Sequence, residues 1–252
     1  MKAVVEYDGG AYAGFQRQAS LPTIQGALEE AITAATGGSV RASAASRTDA
    51  GAHARGQVVS FLTDTRLDDP TLLRALNAHL PRDIVIQSLQ TVDVSFDPRR
   101  QALRREYHYL VVSRPVSAPL WSGRAYVISK QLDLPLMRAA AQHLVGIHDF
   151  ASFGTPAMQG GCTVREIFHL RVVSEGELIR FEIVGSGFLQ HMIRSIVGTL
   201  LDVGSGRIGP ETMRDVLESR DRRRAAPPAP AHGLYLVSVL YGHSAVAKGP
   251  DA

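Results

Sequence analysis

Arg47, Asp49 and His53 fall within one short segment, Ser46-Arg-Thr-Asp-Ala-Gly-Ala-His-Ala54. An acid, a base and an imidazole are thus gathered close together in the chain. The segment lies between two strand-like runs, and loops placed by a rigid sheet are where reactive groups usually sit. Metal ligation is a poor fit, because His53 is the only other good ligand nearby and no thiol cluster supports it. Serine-hydrolase and phosphate-loop signatures are absent. The plainer reading is that Asp49 makes a local turn with Gly51.

Three further segments carry candidate groups. Gly9-Gly-Ala-Tyr-Ala-Gly-Phe-Gln-Arg-Gln18 combines glycines, two aromatics and amides. This suits either recognition of unpaired bases or an ordinary packed loop. Arg105, Tyr107 and Tyr109 share one face of a strand by the two-residue period. Arg105 and Tyr107 then point into one cleft, or both tyrosines fill the core with a wet hydroxyl, the expectation for Tyr109. A helix over Phe188–Val203 buries Ile193, Ile196, Val197, Leu200 and Leu201, with Gly187, His191, Arg194 and Gly198 along a neighbouring stripe. A mid-helix glycine costs roughly 1 kcal/mol against alanine, so another backbone is expected to approach Gly198. Arg194 beside an apolar face is either a partly buried cation needing an anion or a solvent-facing one. His191 is expected to be a structural histidine.

The elements that must position these groups follow from periodicity. Lys2–Tyr7 reads as a strand broken by Asp8-Gly-Gly10, and Ile24 to Ala35 as a helix ended by Gly37-Gly38. Val40–Ser46 and Gln57–Thr63 read as strands around the Asp49 loop. A helix starts at Asp69-Pro70 and ends at Pro81, before a strand over Ile84–Leu89. The order is β-α-β-β-α-β. It recurs with a strand at Tyr107–Val112, a helix from Asp133 to Gly146 and a hairpin of Val164–Val173 with Leu178–Val184 about Glu175-Gly176. The helix from Phe188, a short one from Gly209-Pro210 and a strand at Leu234–Tyr241 complete it. The fold class is α+β, two ferredoxin-like halves. We place the halves at residues 1–102 and 103–242, with a frayed tail over 243–252.

The 252 residues suffice for a sizeable core. The formal charge of +3 weakly favours a polyanionic partner. Arginines cluster at Arg99, Arg100, Arg104 and Arg105, and again over Arg220 to Arg224, the second run reading as a solvated loop. The single cysteine, Cys162, allows neither an internal disulfide nor a thiolate zinc site, and points to a reducing, cytoplasmic compartment. The N-terminus reads as a strand, not a signal peptide, and no apolar run approaches a membrane span.

Taken together, these segments resemble the tRNA pseudouridine synthase A family over nearly the whole chain. The motifs run in order: Tyr7-Asp8-Gly9, the Ser46–Ala54 loop, Asn77 with Leu80-Pro-Arg-Asp-Ile84, and Arg105-Glu-Tyr107. Val164-Arg-Glu-Ile167, Gly187-Phe-Leu-Gln-His-Met-Ile-Arg-Ser-Ile-Val-Gly198 and Gly233-Leu-Tyr-Leu-Val237 follow. Ser46 and Ala52 depart from the Gly and Val frequent in the family. The resemblance implies a homodimer, each chain's two halves forming one extended antiparallel sheet with helices on one face and a central cleft. It implies that Asp49 is the catalytic nucleophile and that Tyr107 stacks on the target uracil and takes the C5 proton. It further implies that Arg194 pairs with the aspartate and that Arg47 helps hold the base out of its stack. tRNA contacts are implied at Gly56, Gln57, Val58, Phe96, Arg99, Arg100 and Arg165.

The implied reaction breaks the C1′–N1 bond and makes a C1′–C5 bond, so no redox cofactor, metal or membrane is called for. The carboxylate attacks C1′ or C6. An adjacent arginine favours its ionised form. Extruding the base costs a few kcal/mol. Two other classes are weighed: a non-catalytic RNA-binding module, and a small-molecule enzyme such as a glycosidase, for which no second acid lies near Asp49.

Overall fold

The computed structural model describes residues 1–156, 158 and 160–242; the tail expected over 243–252 lies outside the described residues. The chain divides into two units, one of Met1–Leu103 with the segment from Leu236, the other of Arg104–Tyr235.

The first unit runs β1 (Lys2–Tyr7), α1 (Ile24–Thr36), β2 (Ser43–Ala44), β3 (His53–Ser60), α2 (Asp69–His79) and β4 (Ile84–Gln90). The strands lie in the order β4-β1-β3-β2, all antiparallel, which is the ferredoxin-like arrangement. Thr23 caps α1 by accepting from the Gly26 amide at 3.2 Å, and Gly37 ends it in the left-handed region at φ 75. Asp68 caps α2 in the same way, with Pro70 in the first turn. Ala3, Val5 and Tyr7 alternate inward along β1, while α1 and α2 bury Ile24, Leu28, Ile32, Leu72 and Leu76. The other face is not bare. Val4 stands opposite Val58, and Ala45, Phe96 and Tyr241 complete a second cluster there. The C-terminal segment returns to this unit, where a Cβ on Gly56 would lie 2.4 Å from the Val237 carbonyl oxygen.

The second unit contains most of β5 (Ala102–Ser113), then β6 (Tyr126–Ile128), α3 (Leu134–Gln142), β7 (Gly146–Asp149) and β8 (Val164–Glu175). It continues through β9 (Leu178–Gly185), α4 (Met192–Gly204), α5 (Thr212–Ser219) and the start of β10 (Leu234–Tyr241). The order β5-β9-β8 repeats the order β1-β3-β2 of the first unit. Two strands exceed the bare repeat: β7 extends the edge beside β8, and β6 runs parallel to the end of β5. Phe150, Phe153, Phe181, Ile167, Met137 and Leu200 are fully buried within it.

The expected helix from Phe188 starts four residues later, at Met192. The reason is local. Gln190 exchanges both backbone hydrogen bonds with Thr155, at 3.0 and 3.3 Å, which holds it extended. His191 then turns left-handed at φ 63 and is exposed. Gly187 therefore lies outside the helix. The helix expected to reach Gly146 stops at Gln142, because Gly146, at φ 109, opens β7. The strand expected over Val40–Ser46 shrinks to two residues, and its partner starts earlier, at His53. Among the described residues no helix is long and apolar enough to cross a membrane.

β4 lies at the end of the strand order, with a row of backbone groups to satisfy. Asn77 of α2 meets two of them: its amide donates to the Ile86 carbonyl at 2.9 Å and accepts from the Ile86 amide at 2.8 Å. Asn77→Ala is expected to lower unfolding stability by about 1–3 kcal/mol, since both groups lose their partner. Urea denaturation checks this; an unchanged midpoint would show that water replaces the side chain fully.

Candidate active site

Asp49 sits half-buried in the loop between β2 and β3. Its carbonyl accepts from the Ala52 amide at 3.1 Å, with Gly51 left-handed at φ 78. The turn expected of Asp49 with Gly51 is thus present in the backbone, which leaves the side chain's chemistry a separate matter.

The loop is gripped from behind by the Gly9–Gln18 segment. A Cβ on Gly9 would fall 1.9 Å from the Ala52 carbonyl oxygen. Gly14, at φ 97, would place a Cβ 2.9 Å from the Thr48 carbonyl oxygen. Both positions require glycine, the second for its conformation as well. The Phe15 amide donates to the Thr48 carbonyl at 3.1 Å and the Gly51 amide to the Tyr12 carbonyl at 3.3 Å. Tyr12 is itself anchored, its hydroxyl donating to Asp83 at 2.7 Å. Burial first, then that bond, pushes its phenol well above the usual tyrosine range.

Side chains complete the grip from below. The Tyr7 and Thr48 hydroxyls meet at 2.7 Å in the interior. Gln57, fully buried on β3, donates to the Ser46 carbonyl at 2.7 Å and accepts from the Ser46 amide at 3.2 Å. His53 is buried with Nδ1 3.1 Å from the Gly9 amide and 3.0 Å from Asp8 Oδ1. Only one of these can be a hydrogen bond at a time. A bare Nδ1 accepts from Gly9, and a protonated one donates to Asp8. Either way the imidazole ties the start of β3 to the end of β1.

Among the residues expected to meet RNA in this unit, Arg47, Arg99 and Arg100 are exposed. Asp97 presents the last two, accepting from the Arg99 and Arg100 amides at 2.8 and 2.9 Å. Those amides, the Arg100 bond first, hold its carboxyl below the usual range. Gly56, Gln57, Val58 and Phe96 are buried. The Phe96 ring packs 5.2 Å from that of Tyr241, in the second cluster. Gly56 makes room for backbone.

In the second unit Arg105, Tyr107 and Tyr109 are all buried along β5. The Tyr107 ring meets Phe188 edge-to-face, with centroids 5.3 Å apart and planes at 84°. Gly185 allows this, since a Cβ there would lie 2.9 Å from the Phe188 ring. Arg105 donates to the Ser186 carbonyl at 2.8 Å, fixing the chain just before Phe188. The Tyr109 hydroxyl is not wet; it donates to the Pro230 carbonyl at 2.7 Å. Burial raises its phenol far above the usual range, and the charge of nearby Arg194 partly opposes this.

Arg194 is half-buried on α4, its Nε donating to the Ala229 carbonyl at 2.6 Å. The backbone expected beside Gly198 is that of Pro227, whose oxygen would lie 2.4 Å from a Cβ. Arg165 curls onto its own loop, donating to the Cys162 and Val164 carbonyls at 3.1 and 2.6 Å. The clamps at Tyr7, Thr48, Gln57 and Ala229 were not singled out as such in the sequence. The glutamine just before Val58 and Val59 in β3 was the one available signal.

The sequence pattern of a family described as tRNA pseudouridine synthase matches residues 3–99 and 140–242. The chain is 42% identical over 241 residues to a tRNA pseudouridine synthase A of Acetivibrio thermocellus, covering 96% of this chain and 99% of that one. It is 44% identical over 242 residues to one of Caulobacter vibrioides, covering 96% and 98%. A third, of Francisella tularensis subsp. novicida, is 39% identical over 237 residues, covering 94% and 92%.

Gly14→Ala is expected to destabilise the first unit by at least about 1–2 kcal/mol from its left-handed backbone alone. Amide exchange at Phe15 and Gly51 should rise more than exchange in α2. Equal protection of both regions before and after would show that the grip on the loop survives a Cβ.

Proposed function

Since the chain belongs to the tRNA pseudouridine synthase family, we propose that it isomerises uridine to pseudouridine in the anticodon stem-loop of tRNA, with Asp49 as nucleophile. The observation that carries this reading is the Asp49 loop. It bears the family's motif, and its backbone is fixed from two sides while the carboxyl remains half-exposed.

Asp49 attacks C1′ or C6, and the C1′–N1 bond breaks with the base retained. The uracil turns, C1′ bonds to C5, the bond to Asp49 breaks to return the carboxylate, the C5 proton leaves and N1 gains one, so the formula is unchanged. Tyr107 offers an aromatic face to the uracil and a phenolic oxygen to the departing proton. Its contact with Phe188 supports this role by fixing the ring. Arg194 favours the ionised carboxylate. Its half-buried position and Nε anchor are consistent with a guanidinium kept in one orientation.

The exposed Arg47, Arg99 and Arg100 are read as contacts to the flipped nucleotide and the phosphates, with binding that weakens as salt rises. Gly56 to Val58 and Arg165 are read as parts of the RNA-facing surface through their backbone or loop. The N-terminal half carries the aspartate, and the C-terminal half the tyrosine and arginine. The reading includes a homodimer in the cytoplasm, which the free thiol of Cys162 suits.

Asp49→Asn is expected to bind tRNA as before and to give no detectable tritium release from C5-labelled uridine in tRNA. Appreciable turnover would remove the assigned role. Tyr107→Phe should retain the ring but slow single-turnover conversion by about a hundredfold or more, as loss of a proton acceptor does. An unchanged rate would leave Tyr107 with stacking alone.

A further inference from the structure

We propose that Arg222 is a positioning residue for the Arg194 guanidinium, acting through the segment 225–230. This rests on the reading of Arg194 as the partner of the catalytic carboxylate.

The segment reads Ala225-Ala-Pro-Pro-Ala-Pro230, so only its three alanines have backbone N–H groups. It is held almost wholly by groups outside itself. The Ala226 amide donates to Thr199 Oγ1 at 3.2 Å and the Ala229 amide to the Arg194 carbonyl at 3.0 Å. The Ala229 carbonyl in turn receives Arg194 Nε at 2.6 Å. Residue 229 thus grips Arg194 by backbone and side chain together. Wherever this strap sits, the guanidinium sits.

Arg222 fixes where the strap starts. Its Nη1 donates to the Ala225 and Ala226 carbonyls at 3.2 and 3.1 Å, and its Nη2 to Ser195 Oγ at 3.0 Å. Ser195 is fully buried and adjoins Arg194 in α4. One planar fork therefore pins the strap to the helix turn that carries Arg194. Thr199 reinforces the link, donating to the Ser195 carbonyl at 2.9 Å, and Gly198 lets Pro227 approach. The arginine run expected to be a solvated loop is divided. Asp221 accepts from the Arg223 amide and opens a short turn. Arg223 and Arg224 are exposed, while Arg222 turns inward.

A guanidinium displaced by about 1 Å from its carboxylate is expected to slow reaction by up to about a hundredfold. The test is single-turnover pseudouridine formation in tRNA by Arg222→Ala, Arg194→Ala and the double variant, with tRNA affinity measured in parallel. Arg222→Ala should be about tenfold to a hundredfold slower with unchanged affinity. Added to Arg194→Ala, it should bring no further loss, because the group it positions is gone. Arg222→Lys should recover part of the rate. Ser195→Ala, a smaller change, should show the same non-additivity if Arg222→Ala fails to fold. Losses that multiply in the double variants, or full rates for both Arg222→Ala and Ser195→Ala, would overturn the role of Arg222. A full rate for Arg194→Ala would instead overturn the reading on which it rests.

Discussion

A reactive carboxylate is only as well placed as the backbone beneath it, and here that backbone is gripped by other backbone. Gly9 and Gly14 approach the Asp49 loop to distances at which a Cβ would overlap the Ala52 and Thr48 carbonyls. Contacts between peptide groups have no rotamers to lose, unlike contacts between long side chains. The glycine-rich segment, which in sequence suits base recognition or an ordinary packed loop, thus forms the rear wall of the Asp49 loop.

The second unit solves the same problem with proline. A strap with three missing N–H groups cannot form a strand or helix of its own, so its course is dictated by what donates to it. Those donors are Tyr109, Arg194 and Arg222. Gly198, costly in a helix, is the vacancy into which the strap fits. Glycine beside proline in these two elements is one joint, seen from its two sides.

Much of this was readable in the residues. The first half's alternation and helical spacing gave all six elements, and the mid-helix glycine announced a close backbone. What was hidden depended on partners distant in sequence. The start of α4 was set by Thr155 claiming Gln190, which no local propensity records. The strands β6 and β7 are too short to show a period. Phe96 and Val58, in segments matched to RNA contact, turned out to share a second core with Tyr241. An aromatic beside arginines does not reveal in sequence which distant side chains it packs against. Arg222 was indistinguishable from Arg223 and Arg224 until Asp221 opened the turn that points it inward.

The chemistry of the grips themselves bears on catalysis. Ser46 and Thr48 are held by an amide, two hydroxyls and peptide groups, all neutral. Neutral clamps fix geometry while adding little to the field at the carboxylate. In the proposed mechanism the charge beside the carboxylate comes from Arg194. That guanidinium has a backbone anchor at Ala229 and a second arginine behind it.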